Sequence, residues 1–198
     1  MRNAEHHDEI RERVRAARRR VSEHSRIRWS AGICERVAEL ALFQASKKVA
    51  GFLAFDGEAD PIALMTEAFH AGKQVYVPAI VGKSKPLKFA PWSPTVSLER
   101  NQFGILEPVV SELERIEARD LDFVITPLVA FDKSCNRIGV GGGFYDRSFA
   151  FLIDEASKFP HVSLVGFAFE LQKVDQIEGC NWDVPLAAVA TESYLYRN

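Results

Sequence analysis

The sequence is poor in several of the things that would make it easy to classify. It has three cysteines in 198 residues, Cys34, Cys135 and Cys180, far apart and odd in number. That excludes a disulfide framework or a Cys-rich zinc site, and a reducing cytoplasm fits best. No apolar run approaches the roughly 20 residues that span a bilayer. The opening MRNAEHHDEIRERVRAARRR is charged where a secretory leader would be apolar, so no signal peptide is expected. Charge of one sign is missing too: Lys+Arg 25 against Asp+Glu 27 leaves -2, which gives no global drive toward nucleic acid or acidic membranes. The chain has no GxxxxGK[ST] phosphate loop, no GxSxG nucleophile turn, and GxGxxG is not in its usual register. His6, His7, His24, His70 and His161 show no metal-ligand spacing, and there is no internal repeat or low-complexity tract.

What is present is an ordinary globular composition, 47% hydrophobic, of a length that fits one domain with or without a terminal extension. Residues 1–45 read as helical. Ile10, Val14, Ala17 and Val21 recur at spacings of four and three, Ser22 or Ser25 recaps the chain, and a second helix is predicted over Arg28–Phe43 with Ile33, Val37, Leu40 and Ala41 inward. From residue 46 the pattern changes. Strands are predicted at Lys48–Asp56 and Gln74–Val81, with a helix over Pro61–Ala71 between them that Gly72 stops. Strand, helix, strand is the unit of a parallel sheet. A short strand at Leu87–Phe89, a turn at Gly104–Pro108 and a short polar helix at Ser111–Arg119 follow. Further strands are expected at Leu121–Asp132, Val162–Glu170 and Ala187–Glu192, with a helix over Phe144–Lys158. The fold expected is a single α/β domain over 1–198: a three-layer αβα core (46–198), its sheet mostly parallel, with the N-terminal helical segment (1–45) packed on it.

The segment RIGVGGGFYDR, Arg137–Arg147, is the most chemical part of the chain. Gly139, Gly141, Gly142 and Gly143 are one third of its glycines, set between a buried strand and a helix. Consecutive peptide N–H groups in such a bend form an anion nest, and a helix start adds free donors, so phosphate is a natural ligand. Arg137 and Arg147 flank it. Asp146 would repel a bare phosphate but suits a Mg²⁺ that bridges carboxylate and phosphates. The bland alternative is a turn that merely connects strand to helix. The arginines of the first helix have a bland reading as a solvated face and sharper ones as nucleic-acid or phosphate ligands. Phe55–Asp60 follows a predicted parallel strand and so lies at the carboxyl edge of the sheet, where ligands bind, although Asp60 also reads as a helix cap. Asp183 lies in a late loop and is a weak candidate for a second metal carboxylate.

With these segments on the page, the sequence resembles the 5-formyltetrahydrofolate cyclo-ligase family, also called methenyltetrahydrofolate synthetase. The resemblance covers nearly the whole chain, in the order IRERVRAARRRVSE, FLAFDGEAD, AGKQVYVPAI, FGILEP, DFVITPLVAFDKSCNRIGVGGGFYDR and NWDVPLAAVAT. It implies a cytoplasmic ligase of folate metabolism that uses ATP and Mg²⁺. The reaction implied converts 5-formyltetrahydrofolate, with or without a polyglutamate tail, to 5,10-methenyltetrahydrofolate with release of ADP and phosphate. Carried over residue by residue, the nucleotide site falls on His7, Arg11, Arg137, Ile138, Gly139, Val140, Gly141, Gly142, Gly143, Phe144 and Tyr145. The catalytic residues fall on Arg137 and Asp146, and the metal carboxylates on Asp146 and Asp183. Glu58, Gly141, Gly142, Gly143 and Phe144 fall on the folate site. Tyr76 and Phe103 are further candidates for packing on the substrate, with core burial the alternative for each. Many members carry Lys where this chain has His7, and a neutral imidazole is the weaker phosphate partner. Many also carry a basic residue within the Gly block. The resemblance implies a monomer or weak dimer, with no nucleic-acid or membrane partner. A relative that binds nucleotide or folate without turnover, and an RNA-binding protein using the arginine helix, are the competing readings.

Overall fold

A computed structural model describes residues 2–101, 104–154 and 162–198. Its elements run α1 (Arg2–Arg19), α2 (Glu23–Ala38), α3 (Ala41–Ala45), β1 (Lys48–Ala50), α4 (Ile62–His70), β2 (Gln74–Ala79) and β3 (Lys88–Pro91). A hairpin of β4 (Leu98–Arg100) and β5 (Leu106–Pro108) follows, then β6 (Phe123–Pro127), β7 (Ala130–Phe131) and β8 (Arg137–Ile138). The chain continues through α5 (Phe144–Phe149), α6 (Phe151–Asp154), β9 (Ser163–Phe167), β10 (Ala188–Ala190) and β11 (Leu195–Arg197). Among the described residues, no helix is long and apolar enough to cross a membrane.

Seven strands form one sheet in the order β11-β10-β9-β6-β1-β2-β3. The five inner strands are parallel, and β3 and β11 close the two edges antiparallel. Period-two alternation sorts the inner strands. Val49, Val75, Val77, Phe123, Ile125, Val165 and Phe167 enter one core with Ile33 and Val37 of α2, Phe43 of α3 and Leu64 and Met65 of α4. Ala50, Tyr76, Val124, Leu164 and Val189 enter the opposite core with Phe149, Phe151 and Leu152 of α5 and α6. Both faces are covered, as a parallel sheet requires, and the three-layer αβα expectation holds.

Several boundaries differ from the sequence reading, each for a local reason. The helix expected over Arg28–Phe43 begins earlier, at Glu23, because the Ser22 side chain accepts from the Ser25 N–H. It ends at Ala38, and the extended Leu40 breaks it, so Ala41 is exposed rather than inward. The strand expected over Leu121–Asp132 divides at Pro127, beyond which the chain turns into the β7–β8 hairpin. Gly104, at φ 76, makes the expected turn, but Leu106–Pro108 pairs with β4. Ser111–Arg119 forms two separate 3-10 turns at Glu112–Glu114 and Ala118–Asp120. The helix expected to run to Lys158 breaks at Ala150, and its last part lies outside the described residues.

Gly166 of β9 tests how tightly the layers pack. A Cβ there would lie 2.8 Å from Leu128 Cδ2 and 3.0 Å from Leu186 Cδ1 and Val189 Cγ2. Gly166→Ala is expected to destabilise the fold by about 1–3 kcal/mol through overpacking. A lower urea midpoint at unchanged m-value checks it; an unchanged midpoint would show that the three side chains give way freely.

Candidate active site

From β1 the chain passes to β2 on one side of the sheet and later reaches β6 on the other. The loops leaving the carboxyl ends of β1 and β6 therefore part company, and a crevice opens between them. A cavity of about 620 Å³ fills that crevice. His7, Arg11, Glu58, all nine residues of Arg137–Tyr145, Asp146 and Asp183 line it, so the predicted site residues meet in one place. Tyr76 does not join them: it is buried in the core beneath the sheet, its hydroxyl 3.3 Å from Gln74 Oε1. Phe103 lies outside the described residues. Arg147 points outward, its guanidinium over the Phe144 ring at 5.0 Å.

The glycine block forms a tight bend because two of its residues, Gly141 at φ 103 and Gly143 at φ 61, occupy backbone conformations that side chains resist. A Cβ on Gly142 would lie 2.9 Å from the Phe144 ring. Among the described residues, the N–H groups of Gly141, Gly142 and Gly143 donate to no protein acceptor. They are bare donors beside a cavity. The helix that follows, α5, is only six residues long, so the loop amides rather than a long helix dipole supply the positive potential.

Arg137 ties this bend to the Asp183 loop. Its side chain is almost fully buried, donating from Nη1 to the Val184 carbonyl and from Nη2 to Asp146 Oδ1. Asp183 Oδ2 accepts from the Cys180 N–H at 2.7 Å. One oxygen of each carboxylate is therefore engaged, and Asp146 Oδ2 and Asp183 Oδ1 have no hydrogen bond among the described residues. Among the described residues, the Tyr145 hydroxyl oxygen and His7 Nε2 are enclosed without hydrogen-bond partners. Burial, then the nearby Glu58, pushes the Tyr145 phenol well above its ordinary range.

α1 lies across the cavity mouth. Ile10 and Val14 anchor it to Val129, Ala130, Ile138 and Ile177. This holds Arg11 so that its Nε donates to the Gly139 carbonyl at 2.8 Å and Nη1 to Asp8 Oδ1 at 2.6 Å. One turn beyond Val14, the sequence reading expects Ala17 inward, but Ala17 is exposed and Arg18 is 0% exposed. Arg15, Arg18 and Arg19 all reach Asp56: Arg15 Nε at 2.8 Å, Arg18 Nη2 at 3.4 Å, and Arg19 Nε in a close ion pair. Burial works against ionisation of Asp56, but the hydrogen bonds from Arg19 and Arg15 outweigh it and hold the carboxyl below its usual range. Arg15, Arg18 and Arg19 are thus committed to Asp56, while Arg13 and Arg20 stay exposed.

Glu58 is the buried acid of the cavity, 5% exposed, with Oε2 accepting from the Phe55 N–H at 3.3 Å and Oε1 3.8 Å from Arg18 Nη1. Burial pushes its carboxyl up to about 7, against the pull of Arg18. Phe52, Leu53 and Phe55 give that end of the cavity an apolar wall, and Trp182 stands exposed at its rim. Sequence reasoning missed the Arg18 contact. The signal was the four-residue spacing of Ile10, Val14 and Arg18, which puts the arginine on the buried stripe.

The model of the 5-formyltetrahydrofolate cyclo-ligase family matches residues 3–192. The chain is 33% identical over 185 residues to a 5-formyltetrahydrofolate cyclo-ligase of Haemophilus influenzae, covering 93% of this chain and 96% of that one. It is 38% identical over 152 residues to the 5-formyltetrahydrofolate cyclo-ligase of Escherichia coli (strain K12), covering 75% and 80%. The NMR structure of Aquifex aeolicus 5,10-methenyltetrahydrofolate synthetase superposes with a TM-score of 0.78 at 31% identity, covering 96% of this chain and 92% of that one.

The raised Glu58 carboxyl makes stability pH-dependent with a definite sign. Below the ordinary 4.5, Glu58 is protonated whether folded or not. Between there and about 7 the unfolded chain ionises first, so stability falls as pH rises. Glu58→Gln, which cannot ionise, is expected to match wild type near pH 4 and to exceed it by on the order of 2 kcal/mol at pH 8. Urea denaturation at the two pH values checks this; a gap of equal size at both would place the effect in packing rather than charge.

Proposed function

The chain belongs to the 5-formyltetrahydrofolate cyclo-ligase family, and from that premise we propose that its cavity seats 5-formyltetrahydrofolate and ATP side by side. The folate closes to 5,10-methenyltetrahydrofolate while ATP yields ADP and phosphate. The observation that carries this reading is the bare Gly141–Gly143 amides at one end of a cavity whose other end is apolar around a single buried carboxyl.

The phosphates lie on the glycine bend, with Arg11 and His7 of α1 on their outer side. Asp146 and Asp183 are suited to Mg²⁺, since each keeps one oxygen without a protein partner, and Mg²⁺ characteristically takes one or two carboxylates together with substrate phosphates and water. When bound, that ion screens charge on the transferring phosphoryl group. Arg137 holds Asp146 and the Val184 backbone in register with the bend. The pterin lies against Phe52, Leu53, Phe55 and Phe144, and Glu58 accepts hydrogen bonds from its amino and ring N–H groups.

The chemistry asks the protein to position and to screen. The formyl oxygen is a poor leaving group, so it first attacks the γ-phosphorus; the O–P bond forms as the bond to ADP breaks. Nitrogen 10 of the folate then adds to the activated formyl carbon and gives up its proton, and the C–O bond breaks with phosphate leaving. No protein nucleophile is required. Rate comes from holding two substrates in line and stabilising phosphoryl charge. The three cysteines, none in a disulfide, support a reducing, cytoplasmic setting.

Absorbance of methenyltetrahydrofolate is expected to rise only when ATP, Mg²⁺ and 5-formyltetrahydrofolate are all present; no rise with folded protein rejects the activity. Asp146→Asn is expected to lower turnover about a hundredfold or more with the fold retained by circular dichroism. Wild-type rates would take Asp146 out of the site. Arg137→Ala is expected to weaken nucleotide binding in calorimetry, and an unchanged affinity would refute its placement.

A further inference from the structure

A fully buried guanidinium beside a substrate-facing acid is an unusual thing for a surface helix to supply. Arg18 is 0% exposed. Its Nε donates to the Asp56 carbonyl at 3.1 Å and its Nη2 faces Asp56 Oδ2 at 3.4 Å. Arg15 and Arg19 hold the Asp56 carboxylate at shorter range than Arg18 does. The nitrogen left over is Nη1: buried, without a hydrogen-bond partner among the described residues, and 3.8 Å from Glu58 Oε1. A buried donor without an acceptor is costly, so a fold that keeps one next to a carboxylate has placed it there with a polar consequence.

We propose that Arg18 is a positioning residue for the substrate, a buried guanidinium that keeps Glu58 an ionised hydrogen-bond acceptor aimed into the cavity. This inference rests on the reading of Glu58 as the acid that accepts from the pterin.

The physical case turns on what else faces Glu58. Burial disfavours its charged form most strongly. Asp56, on the same loop, also opposes ionisation; Arg15 of α1 favours it more weakly than Arg18, and from α5 the neutral Tyr145 hydroxyl lies near enough to feel the charge. Without Arg18 the balance tips toward the protonated acid. A protonated carboxyl keeps an acceptor oxygen but presents a donor where the pterin also presents donors, so one hydrogen bond becomes a clash of like groups. The 3.8 Å separation is too long for a hydrogen bond and short enough for attraction. Arg18 thus steadies charge on Glu58 without occupying the lone pairs that a ligand takes.

The test is the pH profile of kcat/KM for 5-formyltetrahydrofolate at saturating ATP and Mg²⁺. Wild type is expected to lose activity through an acid limb, and Glu58→Gln to lack that limb. Arg18→Met, which keeps an unbranched apolar stem without the guanidinium charge, is expected to move the limb upward by about one pH unit or more. Its kcat/KM at pH 7 then falls about fivefold or more, with KM for ATP unchanged. Arg18→Lys is expected to bring the limb back toward wild type. A structural role alone would lower the melting temperature and leave the limb where it was. An unmoved limb in folded Arg18→Met overturns the inference, as does a limb that persists in Glu58→Gln. Should Arg18→Met not fold, Glu58→Gln still decides, together with titration of the Glu58 side-chain carboxyl in ¹³C NMR against Arg18→Lys. A wild-type protein without turnover would defeat the family reaction itself; an active wild type with an unmoved limb defeats the Arg18 assignment alone.

Discussion

Three guanidiniums of one helix converge on a single carboxylate, Asp56, and the site depends on that convergence. Asp56 sits in a turn with φ 50, followed by Gly57 at φ 75, in the loop that follows β1. The turn is strained for a non-glycine residue and has only local support of its own. Arg15, Arg18 and Arg19 fix it from outside. In doing so they fix α1 against the carboxyl edge of the sheet and aim Glu58, two residues on, into the cavity. Asp56 is 13% exposed in its side chain, so these pairs are screened less than surface ion pairs and are held by several partners at once.

The two ends of the cavity are made by different physics. At the glycine bend, the main chain presents the donors: the bend exposes amides, and side chains such as Arg137 serve chiefly to hold it in register with the Asp183 loop. At the Glu58 end, side chains shape the space: an apolar wall and one buried acid whose charge is set by its neighbours. α1 is the element common to both. His7, Asp8 and Arg11 line the first end, Arg15 and Arg18 support the second through Asp56 and Glu58, and Ile10 and Val14 pin the helix between them. A helix with so little apolar surface docks here through ion pairs as much as through packing.

Much of this was legible in the sequence, and what was not has physical reasons. The glycine block, the strand before it and the Pro61 helix all rest on local rules, namely backbone permissiveness, β-branched runs and a fixed proline φ, and tertiary context seldom overrides those. The strands β5 and β11 are another matter. Each is three residues long, too short for periodicity to mark it, and becomes a strand only by pairing with the equally short strand just before it, β4 or β10. The long apolar run from Leu121 reads as one strand because burial on both faces hides the break at Pro127. Arg18 was missed because an arginine is expected at the surface. Only the position of its two acidic partners, brought from the β1 loop, makes its burial tolerable.

The charge inventory of the cavity constrains how a nucleotide can enter it. Asp8, Glu58, Glu107, Asp146 and Asp183 line the space against Arg11 and Arg137, with His7 the remaining basic side chain. Both arginines are already committed, Arg11 to Asp8 and the Gly139 carbonyl, Arg137 to Asp146 and the Val184 carbonyl. Side-chain charge therefore does not favour a bare triphosphate. Only the glycine amides do, and they are neutral dipoles acting over a few ångströms. On the proposed reading, the surplus of carboxylate makes the nucleotide and its divalent cation a single ligand, since each neutralises what the site would otherwise repel in the other. On that same reading, a divalent cation held by Asp146 and Asp183 would carry most of the neutralisation, which gives a physical reason why a histidine can stand at position 7, where the family resemblance implies lysine in many members.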